Sequence, residues 1–165
     1  MNKVRNFFIG LGIAVLCVVL WMVISVATKS PKPAIDITLT SVSGTQFKLS
    51  DNYGKRGSVL IFIDPEVEGS NLVLDTIIEK KGDADIIAVS VSDIDTNTQL
   101  SHLTENARAL EKLVLSGKSA TETYNIGNAP VTYFIDKEGL VQNAFIGNIK
   151  PETVEEYISI ITEAE

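Results

Sequence analysis

The sequence has almost no cysteine or histidine, and it has fewer bases than acids. Cys17 is its only cysteine, so no internal disulfide can form, and with one histidine the chain lacks the ligands of a structural zinc site. Fourteen basic and 21 acidic residues give a net charge of -7. That balance excludes a nucleic-acid partner bound by phosphate neutralisation, which needs a basic surface. The chain also lacks a Gly-rich phosphate-binding loop, and we predict no bound cofactor.

The charges divide the chain into two unequal parts. The first 32 residues carry four bases and no acid, whereas residues 33–165 carry ten bases and 21 acids, a net of -11. Residues 7–27 hold no charge and are apolar on all sides. At about 1.5 Å per residue, a helix of this length crosses the ~30 Å core of a bilayer. We therefore predict a cytoplasmic tail over residues 1–6, a single-pass anchor in the cell membrane over 7–27, and an extracytoplasmic C-terminal domain.

Other interpretations of the apolar segment stay open. Residues 25–27 (Ser-Val-Ala) suit a signal-peptide cleavage site, but the apolar run exceeds the roughly 7 to 15 residues of a signal core, which favours a retained anchor. Acylation of Cys17, as in a lipoprotein, is disfavoured by the bulky Leu16 before it. The Ser-Pro-Lys-Pro stretch that follows is stiff and extended. It predicts a linker over 28–34 and a folded domain over 35–165.

The pattern of the remaining residues predicts alternating strands and helices. Continuous apolar runs predict buried strands at 59–63 and 86–91, with a short strand at 113–115. Two hairpins are expected, one within 35–49 and one that joins strands 131–135 and 140–146 through an Asp-Lys-Glu-Gly turn. Helical spacing of apolar residues predicts helices at about 69–81, around Leu100 and Leu103, at 120–124, and from Pro151 onward.

Three stretches carry a family resemblance. They are Phe-Lys-Leu-Ser-Asp at 47–51 with Gly-Lys at 54–55, the strand ending in Asp at 59–64, and Ile-Gly-Asn-Ala-Pro-Val-Thr-Tyr-Phe-Ile-Asp-Lys-Glu-Gly at 126–139. The chain resembles the membrane-tethered thioredoxin-like proteins of the redoxin group, which reduce apocytochromes or peroxides outside bacterial membranes. The resemblance implies a thioredoxin-like α/β fold, in which helices flank a central mixed sheet and an N-terminal β-hairpin precedes it. It also implies that Pro130 is cis and faces the redox site.

The chain departs from this family at the redox site itself. Relatives carry Cys-x-x-Cys after the first buried strand, and in that register Val67 and Ser70 stand at the two cysteine positions. Thiol exchange needs a thiolate, which neither valine nor an un-ionised serine hydroxyl supplies. Cys17 lies some 50 positions upstream in the predicted anchor. We therefore predict a degenerate site with no catalytic residue.

A binding function is the interpretation we favour for such a site. The groove in which relatives hold an extended peptide would be lined here by Pro65, Val67, Ala129 and Pro130. An extracytoplasmic protein or extended peptide segment could then dock through backbone hydrogen bonds without bond exchange. The alternative is a component of a thiol-disulfide redox or cytochrome c maturation system.

Acidic residues near the same site suggest a third function, an acidic cation-binding sensor. The loops after the two buried strands should leave the same edge of the sheet, where α/β folds bind ligands. Five acids are then expected to converge there as metal-binding candidates: Asp64, Glu66, Glu68, Asp93 and Asp95. The competing interpretation, which we favour, is that acids at helix starts are stabilised by the helix dipole and face solvent.

Overall fold

The computed structural model describes residues 31–163, and the structural statements below concern that part of the chain. It contains eight strands, five helices and a 3₁₀ turn at Leu49–Asn52. The strands are β1 Lys32–Pro33, β2 Thr38–Thr40, β3 Gln46–Lys48, β4 Ser58–Ile63, β5 Asp85–Ser90, β6 Lys112–Val114, β7 Val131–Ile135 and β8 Leu140–Ile146. The helices are α1 Glu68–Lys80, α2 Thr96–His102, α3 Glu105–Arg108, α4 Lys118–Thr123 and α5 Pro151–Glu163.

A six-stranded mixed sheet forms the centre of the domain. Its strand order is β1-β8-β7-β4-β5-β6, and the β2–β3 hairpin stands apart from it. β4 pairs in parallel with β5 and antiparallel with β7. All six residues of β4 are buried, because this uninterrupted apolar strand is covered on both faces.

Each face of the sheet has its own apolar core, since successive side chains of a strand point to opposite faces. Val59, Ile61 and Ile63 of β4 pack in a cluster with α1 and α5, whose buried residues include Leu74 and Ile161. The intervening β4 residues pack in a second cluster with the hairpin and α4, including Leu60, Phe62, Leu39, Phe47 and Ala120. The hairpin therefore covers the face of the sheet opposite α1 and α5.

The start of the domain differs from the sequence prediction. Lys32 and Pro33, assigned above to the linker, form β1 and pair with Val141 and Leu140 of β8. Proline lacks a backbone N–H and is confined to edge strands, and the edge position of β1 meets that condition. Lys32 and Pro33 thus belong to the central sheet of the domain.

Two further differences concern short elements. The hairpin strands have three residues each and are shorter than predicted. Helix α3 was not predicted, because its Glu-Asn-Ala-Arg sequence has no apolar stripe. Its start is stabilised by the Thr104 side chain, which accepts a hydrogen bond from the Ala107 N–H.

The predicted tail and anchor, residues 1–27, lie outside the described residues. Within residues 31–163 there is no helix with the length and apolar character needed to cross a membrane.

Candidate functional site

The end of β4 and the start of β7 meet at one edge of the sheet. The two strands are antiparallel, with Phe62 opposite Val131. The chain that leaves β4 at Asp64 and the chain that enters β7 at Pro130 are therefore neighbours. The Ala129–Pro130 peptide bond is cis. This is the edge at which the family resemblance implies the redox site.

Val67 and Ser70 occupy very different environments at this edge. Val67 is the residue before α1 and is 43% exposed. Ser70 is fully buried, and its Oγ accepts a hydrogen bond from the Asp64 N–H at 3.1 Å. The backbone N–H of Ser70 donates to the Val67 carbonyl at 2.9 Å. The serine hydroxyl thus holds the loop after β4 in place, while the exposed position carries a valine without a reactive group.

One of the predicted groove residues, Ala129, has backbone groups without a hydrogen-bond partner among the described residues. Pro65 and Pro130 are buried and Ala129 is half-buried. The Pro130 carbonyl accepts a hydrogen bond from the Gly147 N–H at 2.8 Å. Neither the N–H nor the carbonyl of Ala129 has a hydrogen-bond partner within residues 31–163. Ala129 therefore offers one donor and one acceptor, the pair that an added extended strand uses.

Two exposed apolar side chains that the sequence analysis did not single out belong to β8 and α1, which both reach this edge. Ile146, opposite Val131 in the β7–β8 pairing, is 82% exposed, and Leu72 is 61% exposed. The loop after β8 reaches α1, because a Cβ on Gly69 would lie 3.1 Å from Oδ1 of Asn148. Leu72 follows Gly69 by three residues and shares its helix face. We call Val67, Leu72 and Ile146 the apolar rim.

The acidic candidates named above do not form a metal-binding cluster within the described residues. Residues 31–163 contain no group of three or more His, Cys, Asp or Glu side chains placed to hold a metal ion. Asp95 instead caps α2, where its carboxylate accepts hydrogen bonds from the hydroxyl of Thr98 at 2.6 Å and from the N–H of Thr98 at 3.1 Å. These two bonds, the hydroxyl first, lower the pKa of Asp95.

Two acids of the loop after β4 also have local structural roles. Asp64 accepts a hydrogen bond from the Glu66 N–H at 3.1 Å, and Glu68 lies in the first turn of α1. Carboxylates so placed serve the loop and the helix start.

Comparison with known proteins relates the chain to others through its structure alone. No protein-family model and no curated protein matches it in sequence. A thiol:disulfide interchange protein of the thioredoxin family from Chlorobium tepidum superposes with a TM-score of 0.65 at 12% identity, over 80% of this chain and 97% of the other. A thiol:disulfide interchange protein from Bacteroides sp. gives 0.62 at 14% identity, over 82% and 91%. The exposed lipoprotein thioredoxin Etrx1 from Streptococcus pneumoniae gives 0.58 at 20% identity, over 76% and 99%.

These likenesses span nearly the whole of the matched chains. At such low identity they establish the fold and not the activity. The domain has a thioredoxin-like α/β fold, as the resemblance of its sequence implies.

Proposed function

We propose that this chain is a membrane-anchored thioredoxin-like protein that binds an extended segment of an extracytoplasmic protein and carries out no redox chemistry. The observation that carries the proposal is the unpaired backbone of Ala129, at the edge that the elements of the apolar rim reach. It lies where the family resemblance implies a pair of cysteines, and the chain has no cysteine after position 17.

The proposed binding mode follows from strand geometry. An extended segment would pair its own backbone with the N–H and carbonyl of Ala129. Its side chains would point alternately toward and away from the domain. Single exposed apolar residues are ordinary on a protein surface. Three of them on elements that reach the edge with the unpaired backbone instead favour a surface that a partner covers.

A second candidate function is a non-catalytic component of a thiol-disulfide system. The names of the structural neighbours favour it, since two of the three described above are thiol:disulfide interchange proteins. The two functions differ in the segment bound. A redox component would select segments that contain cysteine, whereas a general peptide-binding domain would select cysteine-free segments equally well.

The proposal predicts that Val67→Arg weakens peptide binding at least about tenfold, because the long charged side chain would cover the groove and disrupt an apolar anchor. The measurement has two steps. Peptides that bind the full chain in detergent are first selected from a displayed random library, and the affinity of each selected peptide is then measured for each variant. Val42→Arg is the matched control, because Val42 is a valine of similar exposure, 46%, whose backbone instead pairs with Leu113 of β6.

Equal affinities for the Val67→Arg and Val42→Arg variants would contradict docking at this edge. The same selection separates the two candidate functions, because recovery of cysteine-containing peptides alone would favour the redox component.

A further inference from the structure

The outer edge of β8 is open along most of its length. The six-stranded sheet has β6 at one edge and β1 at the other. At the β6 edge, the N–H of Val42 donates to the carbonyl of Leu113 at 2.8 Å, so the chain between β2 and β3 covers it. At the other edge, β1 pairs only with Leu140 and Val141 of β8. Beyond Val141, no strand of residues 31–163 lies on the outer side of β8.

The backbone groups of Ala144 and Ile146 point toward this open edge. In an antiparallel pair, residues bonded to the partner strand alternate with residues whose groups face away from it. The N–H of Gly147 donates to the Pro130 carbonyl of the strand opposite at 2.8 Å, so the residues one and three positions earlier face away from β7. The Ala144 N–H is held by Oδ1 of the adjacent Asn143 at 2.9 Å. The N–H and carbonyl of Ile146 have no hydrogen-bond partner among residues 31–163.

The sequence of this edge lacks the features that keep edge strands from pairing. Natural proteins place lysine, proline or other charges on exposed edges. Residues 139–149 contain no proline and no charged residue, and Ile146 is 82% exposed. The register shift between β7 and β8 lies at Gln142, so the segment that follows it is a regular strand.

The register of β1 does not continue along this edge. Lys32 lies opposite Val141, whose backbone groups face β1. Outward-facing residues of a regular strand are two positions apart. Because of the shift at Gln142, Ala144 follows Val141 by three positions. The open part of β8 therefore has its own register and suits a separate strand.

We propose that the open edge of β8 pairs with the same edge of a second copy of this chain. Antiparallel pairing of two identical strands is symmetric about a two-fold axis, so the contact closes as a dimer. With the axis at Phe145, Ala144 of each copy lies opposite Ile146 of the partner subunit. Their outward-facing groups then exchange about four backbone hydrogen bonds, two in each such pair.

Side chains and charge favour a second copy as the occupant. The small side chain of Ala144 leaves room for the exposed Ile146 of the partner subunit. On the other face, Phe145 would meet its own counterpart at the axis and extend the aromatic cluster in which its ring lies 5.3 Å from that of Tyr157. The net charge of -11 over residues 33–165 repels a second copy. That repulsion is weakest along the uncharged segment 139–149.

The mass of the full chain in detergent, measured by sedimentation equilibrium over a range of protein concentrations, tests the dimer. We expect a monomer–dimer equilibrium. Ala144→Pro should weaken association at least about tenfold, because it removes about half of the hydrogen bonds between the copies. It removes no bond to β7, from which the Ala144 N–H faces away. Ala144→Val keeps this N–H and is the matched control, which should associate as the unchanged chain does.

Cysteine crosslinking tests the register without relying on a proline variant. In a Cys17→Ser background, Ala144→Cys chains mixed with Ile146→Cys chains should form an intermolecular disulfide at least about fivefold faster than either variant alone. The reason is that opposite residues of a hydrogen-bonded pair have Cα atoms about 5.5 Å apart, within the range of a disulfide.

Three results would overturn the dimer: a chain that stays monomeric, association that Ala144→Pro leaves unchanged, or equal crosslinking of mixed and unmixed chains. Slow exchange of the Ile146 N–H at every protein concentration would also overturn it, because this edge would then be covered by the same chain. Neither measurement uses peptide binding, and Ala144 lies outside the apolar rim. A failure of the proposed function therefore leaves this test unaffected.

Discussion

Replacing both Val67 and Ser70 by cysteine is expected to convert this domain into a thiol-disulfide reductase. The Ser70 N–H donates to the Val67 carbonyl at 2.9 Å, which closes a tight turn between the two positions. The ends of such a turn have Cα atoms less than about 7 Å apart. A disulfide needs Cα atoms about 4.4 to 6.8 Å apart. The turn thus brings the two positions to about the Cα separation that a disulfide spans.

The two environments also suit the two roles in thiol exchange. The thiol introduced at position 67 would lie at the exposed start of α1, where the helix dipole stabilises a thiolate. The thiol introduced at position 70 would be buried behind it, as a resolving thiol should be. Repulsion from the adjacent Glu66 and Glu68 would raise the pKa of the first thiol and slow its attack.

The measurement is reduction of insulin by dithiothreitol, made in a Cys17→Ser background so that only the introduced thiols react. We expect the Val67→Cys/Ser70→Cys variant to exceed that background at least about tenfold. The single Val67→Cys variant is the control, because it cannot close the intramolecular disulfide that completes a cycle. A double variant that forms no disulfide, or that turns over no faster than the single one, would show that the backbone as well as the side chains has departed from a redox site.

Removing one lysine at the opposite edge of the sheet is expected to destabilise the fold by about 3 kcal/mol. Nζ of Lys112 lies 2.6 Å from Oδ2 of Asp85, and these side chains are only 17% and 20% exposed. The amide of Asn52 donates to the same carboxylate oxygen at 2.6 Å and to Oγ of Ser58 at 2.7 Å. Lys112→Met would leave the Asp85 carboxylate largely buried without its counter-charge.

Urea unfolding should show this loss of free energy of unfolding for Lys112→Met. Thermal unfolding should show a decrease in melting temperature of about 10 °C. The control is Lys80→Met. Lys80 lies 3.9 Å from Glu79 and 4.0 Å from Glu155, both exposed, and such long surface ion pairs contribute little to stability. Adding Asp85→Asn to Lys112→Met should restore most of the stability, since removing both charges leaves no unpaired ion and the new amide oxygen can still accept from the Asn52 amide. A Lys112→Met variant as stable as Lys80→Met would contradict the role given to this ion pair.

Local sequence patterns predicted most of the sheet. The bounds of β7 and β8 agree with those predicted, because a buried apolar strand and an Asp-Lys-Glu-Gly turn carry strong local signals. The strand β1 has no such signal. A Pro-Lys-Pro sequence is extended whether or not it pairs, and its pairing with β8, over 100 residues later, depends on the assembled sheet.

The features of the candidate site could be predicted from the sequence to different degrees. The register of the family resemblance placed Val67 and Ser70, but local sequence could not show that Asp95 caps a helix rather than joining other acids. Nor does any local pattern predict the hydrogen bond from Nε2 of Gln99 in α2 to the carbonyl of Leu115 after β6, because the two segments meet only in the folded domain.

Backbone amide exchange at Ala129 tests peptide docking most directly. It is measured on the full chain, free and saturated with a cysteine-free peptide from the display selection. We expect exchange of the Ala129 N–H to slow at least about tenfold on binding, because the amide gains a backbone hydrogen bond that it lacks within the described chain. Unchanged exchange at Ala129, with protection confined to another surface, would contradict the proposal that this edge binds an extended segment.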